Sequence, residues 1–292
     1  MIHKNVDEAK KVASGCGGSA QQQQHIKQQQ QQDMMKQTLK KIKNKLFVLS
    51  GKGGVGKSSV SANLAVSLAQ QGFKTGLMDV DLHGPSIAQM FNITELLDMS
   101  SEDKQLLAPK KVMDNLTVVT IQALMQDKDQ AVIWRGPAKT GMINQFIANV
   151  DWGELDFLVI DAPPGTGDEP ISVAQAIPDA QGIIVTTPQE VALADIRKSI
   201  SFCKTVKLKT LGIVENMAGF RCPHCNEPIE LFSSGGGEKT AKAQGLTFLG
   251  SLPFDTRVVE SGDKGSPLMF KEEDTEFTKA FDKIVENIIK QL

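Results

Sequence analysis

Leu46-Phe47-Val48-Leu49-Ser50-Gly51-Lys52-Gly53-Gly54-Val55-Gly56-Lys57-Ser58 lies one sixth of the way along the chain. Its first four side chains are apolar without alternation, as in a strand buried on both faces. Glycines at 51, 53, 54 and 56 then break the strand. Ser58 to Gln71 reads as a helix, with Leu64, Val66, Leu68 and Ala69 as its apolar surface and Gly72 as its stop. The spacing G-x-x-x-x-G-K-[ST] between a strand and a helix predicts a phosphate-binding loop. Glycines let successive N–H groups turn toward phosphate oxygens, and the helix N-terminus adds partial positive charge. Gly51, Lys52, Gly53, Gly54, Val55, Gly56, Lys57, Ser58 and Ser59 are the candidate phosphate-binding residues. Lys57 is placed to reach β- and γ-phosphates, and the Ser58 hydroxyl to ligate Mg²⁺.

Similar apolar runs continue downstream. Strands are expected at Thr75 to Val80, Leu116 to Ile121, Phe157 to Asp161, Gly182 to Thr186, Leu211 to Val214 and Phe248 to Leu252. Helices are expected at Ala138 to Val150, Glu190 to Thr205 and Glu272 to Leu292. Continuously apolar strands alternating with helices predict a three-layer α/β fold, a mostly parallel sheet with helices on both faces. In such sheets ligands sit beyond the C-terminal strand ends. Residues 1–44 read as a separate tail. Gln21 to Gln32 holds nine glutamines in twelve residues, and lysines follow. That composition buries too little apolar surface to order itself, except for a short helix over Met34 to Lys45. The folded domain is expected over 45–292.

The strand ends carry acids. Asp79 and Asp81 close the second strand in Leu77-Met78-Asp79-Val80-Asp81, and Asp161 closes Leu158-Val159-Ile160-Asp161. A carboxylate after a buried strand and facing a phosphate site holds Mg²⁺ directly or through water. Glycine- and proline-rich segments follow both: His83-Gly84-Pro85-Ser86, and Ala162-Pro163-Pro164-Gly165-Thr166-Gly167-Asp168. Such loops rearrange when a γ-phosphate comes or goes.

Composition narrows the class. The net charge of −2 over 292 residues does not suggest a nucleic-acid partner. No secretory leader and no membrane-length apolar run is readable, so a cytoplasmic protein with reduced thiols is expected. The four cysteines are Cys16, Cys203, Cys222 and Cys225. Cys203 falls on a helix with Ile196 and Ile200 and reads as core. Cys222-Pro223-His224-Cys225 lets two thiolates converge on one metal or cluster. Two ligands leave a tetrahedral site half filled. A two-fold homodimer, each copy giving Cys222 and Cys225, supplies four. A bridged [4Fe–4S] cluster and a bridged zinc both satisfy that count.

Lys52 adds a second lysine to the loop. K-G-G-x-G-K resembles the deviant Walker A motif of the MinD, ParA and nitrogenase iron-protein group of P-loop NTPases. The resemblance implies that Lys52 reaches a partner's nucleotide across a dimer, as an arginine finger does. It also implies that Asp81 orients the attacking water while Asp79 supports the magnesium shell and Asp161 sits in its outer shell. Lys52, Lys57 and Asp81 are thus the candidate catalytic residues. In related ATPases an asparagine and a proline flank the adenine, which points here to Asn216 and Pro253. K-G-G-V-G-K-S, D-V-D-L-H-G-P-S, D-A-P-P-G-T-G-D, E-N-M and C-P-H-C followed by F-S-S-G-G-G together resemble the Mrp/ApbC family of iron–sulfur cluster carrier ATPases, over Lys45 to Leu292. That resemblance implies slow ATP hydrolysis, a labile [4Fe–4S] cluster and apo-protein clients. Eukaryotic relatives carry four more cysteines near the N-terminus, where this chain has Cys16 alone. The alternatives are a MinD- or ParA-like positioning ATPase, whose membrane helix would be Phe277 to Leu292, and an ATPase with a structural zinc. Neither a membrane nor a nucleic acid is expected as partner.

Overall fold

The computed structural model of the chain describes residues 5–81, 84, 86–124, 136–222, 225, 227–229, 235–271 and 273–292. In chain order the elements begin with α1 (Asn5–Lys40), β1 (Ile42–Leu49), α2 (Lys57–Gln70), β2 (Thr75–Asp79), α3 (Ile87–Met90), β3 (Lys110–Met113) and β4 (Leu116–Thr120). They continue with α4 (Gly136–Ala148), β5 (Leu155–Asp161), α5 (Asp168–Ala176), β6 (Gln181–Thr186), α6 (Glu190–Thr205) and β7 (Lys209–Glu215). A two-stranded hairpin, β8 (Phe220–Arg221) and β9 (Pro228–Ile229), precedes α7 (Gly236–Gln244), β10 (Phe248–Ser251), α8 (Thr256–Asp263) and α9 (Glu276–Gln291).

Eight strands form one sheet in the order β10-β7-β6-β1-β5-β2-β4-β3. All neighbours run parallel except β3, which turns back antiparallel on β4. The period-two alternation of strands divides the apolar side chains between two cores. Leu46 and Val48 of β1 join Leu64, Leu68, Phe281 and Ile284 on one face. Phe47 and Leu49 join Phe146, Ile200 and Ile160 on the other. The expected three-layer α/β fold is therefore the observed one. β1 lies at the centre, which puts the loop after it in the middle of the sheet's C-terminal edge.

Three features depart from the expectation. Asn5–Lys40 forms one helix rather than a tail with a short helical end, and β1 starts at Ile42 rather than Leu46. Gln and Lys are good helix formers, so a helix needs no buried face along most of its length. Ile26 and Met34 are exposed; Met35 and Leu39 reach the second core beside α4. Ile42 extends the sheet because it pairs with Leu155. β3 was not expected at all: Lys110 and Lys111 lack an apolar signature, as suits an edge strand.

The closing helix α9 starts on a capping box between Thr275 and Thr278. Its apolar face, Phe277, Phe281, Ile284, Val285 and Ile288, is buried against the sheet and α2. That face is covered by the protein itself. No helix among the described residues is long and apolar enough to cross a membrane. Phe281 is fully buried and stacks at a tilt on Phe277, 5.6 Å between ring centroids. We predict that Phe281→Ala lowers the unfolding free energy by about 3–5 kcal/mol in urea titrations. A loss below about 1 kcal/mol would mean that α9 is not packed as described.

Candidate functional site

The phosphate loop is held from both sides. Gly56 is left-handed (φ 79°), and a Cβ there would lie 2.3 Å from the Asn216 amide. A Cβ on Gly51 would lie 2.5 Å from the carbonyl of Asp195 on α6. Only glycine lets the chain curl through this gap. Asn216, the residue after β7, donates from its side chain to the Val55 carbonyl at 2.9 Å, and so braces the loop from behind.

Lys57 and Ser58 begin α2 and meet Asp161 at the end of β5. The Lys57 ammonium donates to Asp161 at 2.8 Å, the Ser58 hydroxyl at 2.6 Å and the Ser61 hydroxyl at 2.7 Å. Ser61 lies one turn after Lys57 and shares its helix face. Ser58 donates its proton to Asp161 and accepts from the Lys57 ammonium at 3.3 Å, which leaves one hydroxyl lone pair to face a cation. Lys57 also lies 3.8 Å from Asp81, so it stands between two carboxylates. Asp81 accepts from the Gly84 N–H at 3.3 Å. The second glycine-rich loop is pinned to the same place: Gly165 donates its N–H to the Ser50 carbonyl at 2.9 Å. His83 and Pro85 of the first lie outside the described residues.

These residues line one cleft with two compartments. The first, of about 280 Å³, runs from Lys52 to Ser59 and is closed by Asp81, Gly84 and Pro164; it is named the polar compartment for its Lys52, Lys57, Ser58 and Asp81 side chains. An apolar one of about 250 Å³ continues between Met90, Asn216, Met217, Pro253, Phe254 and Val258. Gly56, Ser59, Ser86 and Met90 line both. A polar trough at a helix N-terminus leading into an apolar slot fits a nucleoside polyphosphate, charge in the first and base in the second. Ser58, Asp81 and Asp161 are hard oxygen donors, which fit Mg²⁺. The first turn of α2 contains no acid to compete with a phosphate. Lys52 borders the polar compartment, and among the described residues no carboxylate pairs with it.

Asp79 is placed differently from the other two acids. It is fully buried, one strand over from Asp161, with which it is in register between β2 and β5. Its carboxylate accepts from the Thr120 hydroxyl at 3.1 Å and from the Asp81 N–H at 3.1 Å. Burial first, then the charge of Asp161, push its pKa up to about 8. The folded chain thus holds a proton here that the unfolded chain releases near pH 4. Stability from this group is full below that pH and is lost as pH rises to about 8. We predict that Asp79→Asn, an isostere of the protonated acid, flattens the fall in melting temperature between about pH 5 and 8.5. It should melt higher than the wild type at the alkaline end and level with it at the acid end. Parallel curves would contradict a proton on Asp79.

Cys222 and Cys225 stand at the tip of the β8–β9 hairpin, where Phe220 pairs with Ile229 and Arg221 with Pro228. Cys222 is half-buried and Cys225 exposed. The Cys222 N–H donates to the Glu227 carbonyl at 2.9 Å, and the Cys225 thiol lies 3.8 Å from the Glu227 carboxylate. Among the described residues no group of three metal-binding side chains forms. His224 lies outside those residues. Cys203 is buried in the second core, and burial pushes its thiol pKa up, as expected for an inert packing residue. Sequence reading missed Ser61, Thr120, Met217, Phe254 and Glu215. Ser61 has a signal in its i+4 spacing from Lys57; the others are set by tertiary packing.

A profile of the family described as ParA: NUBPL iron-transfer P-loop NTPase matches residues 41–289. The chain is 44% identical to the iron-sulfur cluster carrier protein of Methanocaldococcus jannaschii, over 88% of each chain. It is 47% identical to the cytosolic Fe-S cluster assembly factor CFD1 of Saccharomyces cerevisiae, over 86% of this chain and 88% of the relative. A solved nucleotide-binding protein from Archaeoglobus fulgidus, in complex with ADP, superposes with a TM-score of 0.73 at 37% identity, over 86% of this chain and 96% of its own. The cell division ATPase MinD of Pyrococcus furiosus shares the fold at 22% identity and a TM-score of 0.64. This chain belongs to the NUBPL iron-transfer family of P-loop NTPases.

Proposed function

We propose that the chain is an ATP-hydrolysing carrier that holds a [4Fe–4S] cluster between two copies and passes it to apo-proteins in the cytosol. The observation that carries this reading is the hairpin tip: Cys222, half-buried, and Cys225, exposed, are presented together on one short hairpin. Two thiolates hold a cluster only if a second copy brings two more. Ligands presented at a tip rather than enclosed in a core suit cargo that must leave. The names of the archaeal and yeast relatives support the same cargo and, for the yeast one, the cytosol.

The residues divide the work as follows. Backbone N–H groups of Gly53 to Lys57 cradle the phosphates, and Lys57 transfers from Asp161 to the β- and γ-phosphates when ATP enters. Ser58 and Asp161 would hold Mg²⁺, which when bound would supply positive charge against the phosphate oxygens. Asp81, beside Lys57 at the mouth of the polar compartment, orients the attacking water. Asn216 and Pro253 flank the base. Lys52, free of an ion pair, is available to a partner's nucleotide. The 45–292 unit is the ATPase domain that carries all of these.

A membrane-positioning role is disfavoured by α9, whose apolar face is buried. Three measurements test the reading. Anaerobic reconstitution is expected to give about four irons per dimer and a broad visible absorbance, both lost in Cys222→Ala/Cys225→Ala. Zinc in place of iron in protein purified without oxygen, or equal iron in the double variant, would overturn it. Lys52→Ala is expected to lower the ATPase rate by about tenfold or more, with ATP affinity little changed. An unchanged rate would remove the role across the dimer.

A further inference from the structure

Glu215 ends β7 and is buried to 1% exposure, yet the catalytic scheme above does not use it. It lines neither compartment of the cleft. One carboxylate oxygen accepts from the Gly235 N–H at 3.3 Å, the other from the Gly237 N–H at 2.6 Å. Gly235 is left-handed (φ 82°) and caps α7. These two residues are where the chain returns after the cysteine hairpin. The departing end is tied as well. The Ala218 N–H donates to the Leu252 carbonyl at 2.8 Å, and Phe254 donates its N–H to Gly219 at 2.9 Å. Phe220, which opens the hairpin, meets Phe254 edge to face, 5.7 Å between centroids.

The neighbours of these anchors are the nucleotide cleft. Asn216 follows Glu215 directly and braces the phosphate loop through Val55. Phe254 lines the apolar compartment. Adjacent residues on one strand end thus face opposite ways: Asn216 grips the loop that binds phosphate, and Glu215 grips the returning leg of the cysteine segment. A buried carboxylate is costly unless hydrogen-bonded, so Glu215 cannot let go of α7 without leaving a charge unpaired. A shift of the β7 end on nucleotide binding therefore carries α7 with it.

The geometry points to Glu215 as the positioning residue through which nucleotide binding moves Cys222 and Cys225. This inference rests on reading the two thiols as the cargo site. It assigns to this carboxylate the coupling between ATP and cargo. The cysteine loop is then steered at its returning leg, by a charged anchor, with the Phe220–Phe254 contact as its hinge.

The test needs no cluster. In the full metal-free chain, alkylation of each cysteine by N-ethylmaleimide is followed by peptide mass spectrometry with and without Mg-ATP. We expect Mg-ATP to change the Cys225 rate by about fivefold in the wild type. In Glu215→Gln the change should fall within about 1.5-fold, with ATP affinity within about threefold of wild type. Gly237→Ala attacks the same contact from the other side, since its Cβ would lie 3.0 Å from the Glu215 carboxylate. Alanine also favours the helix, so this variant carries the test if Glu215→Gln does not fold. Both should uncouple thiol from nucleotide. A variant that keeps the wild-type response would overturn the inference. So would joint loss of ATP binding and thiol response, or a wild type whose thiols ignore ATP. The iron content of the reconstituted wild type is read separately, so a failed carrier reading is not mistaken for failed coupling.

Discussion

Asp161 receives three hydrogen bonds from Lys57, Ser58 and Ser61 at the start of α2, and the site depends on that knot. It joins the end of a central strand to the start of the helix that follows the phosphate loop. The carboxylate fixes the Ser58 proton, and with it the direction of the lone pairs offered to a cation. It also pairs with the Lys57 ammonium at 2.8 Å. The low exposure of the cluster strengthens each of these interactions relative to water. The same low exposure keeps the neighbouring Asp79 protonated, because two charged acids in register on adjacent strands would repel at close range.

Outward from that knot the chain builds a second connection. β7 lies two strands from β1 in the sheet, and its end supplies both Asn216 and Glu215. The cysteine segment leaves and returns at this edge, with one leg on the loop after β10 and the other on Glu215. The thiols are thus not a decoration on a surface loop. They are carried on a hairpin whose first leg packs on Phe254, a wall of the apolar compartment. In the proposed dimer a second copy would bring a phosphate to Lys52 and further thiolates to the exposed Cys225.

Much of this was legible in residue order because the decisive features are local. The apolar runs of β1, β2 and β5 announce buried parallel strands, and the glycine spacing announces the phosphate loop. The helix Glu190 to Thr205 was read to its bounds, and Cys203 was correctly placed in the core beside Ile196 and Ile200. What escaped is set by contacts distant in sequence. Asp79 and Asp81 look equivalent two residues apart, but β2 ends at Asp79, which is buried against Thr120, while Asp81 lies past the strand end at the cleft. Glu215 looks like half of a short E-N-M motif; its partner lies some twenty residues on. The glutamine-rich stretch reads as unstructured because it has no core to bury, and α1 forms there without one.

The account centres on a cargo shared by two copies. Native mass spectrometry of the anaerobically reconstituted full-length chain tests it most directly. The predicted particle contains two chains and one [4Fe–4S] unit, and it falls to metal-free single chains when Cys222 and Cys225 are both replaced by alanine. A metal-loaded single chain, or a dimer carrying the same cluster without those cysteines, would contradict it.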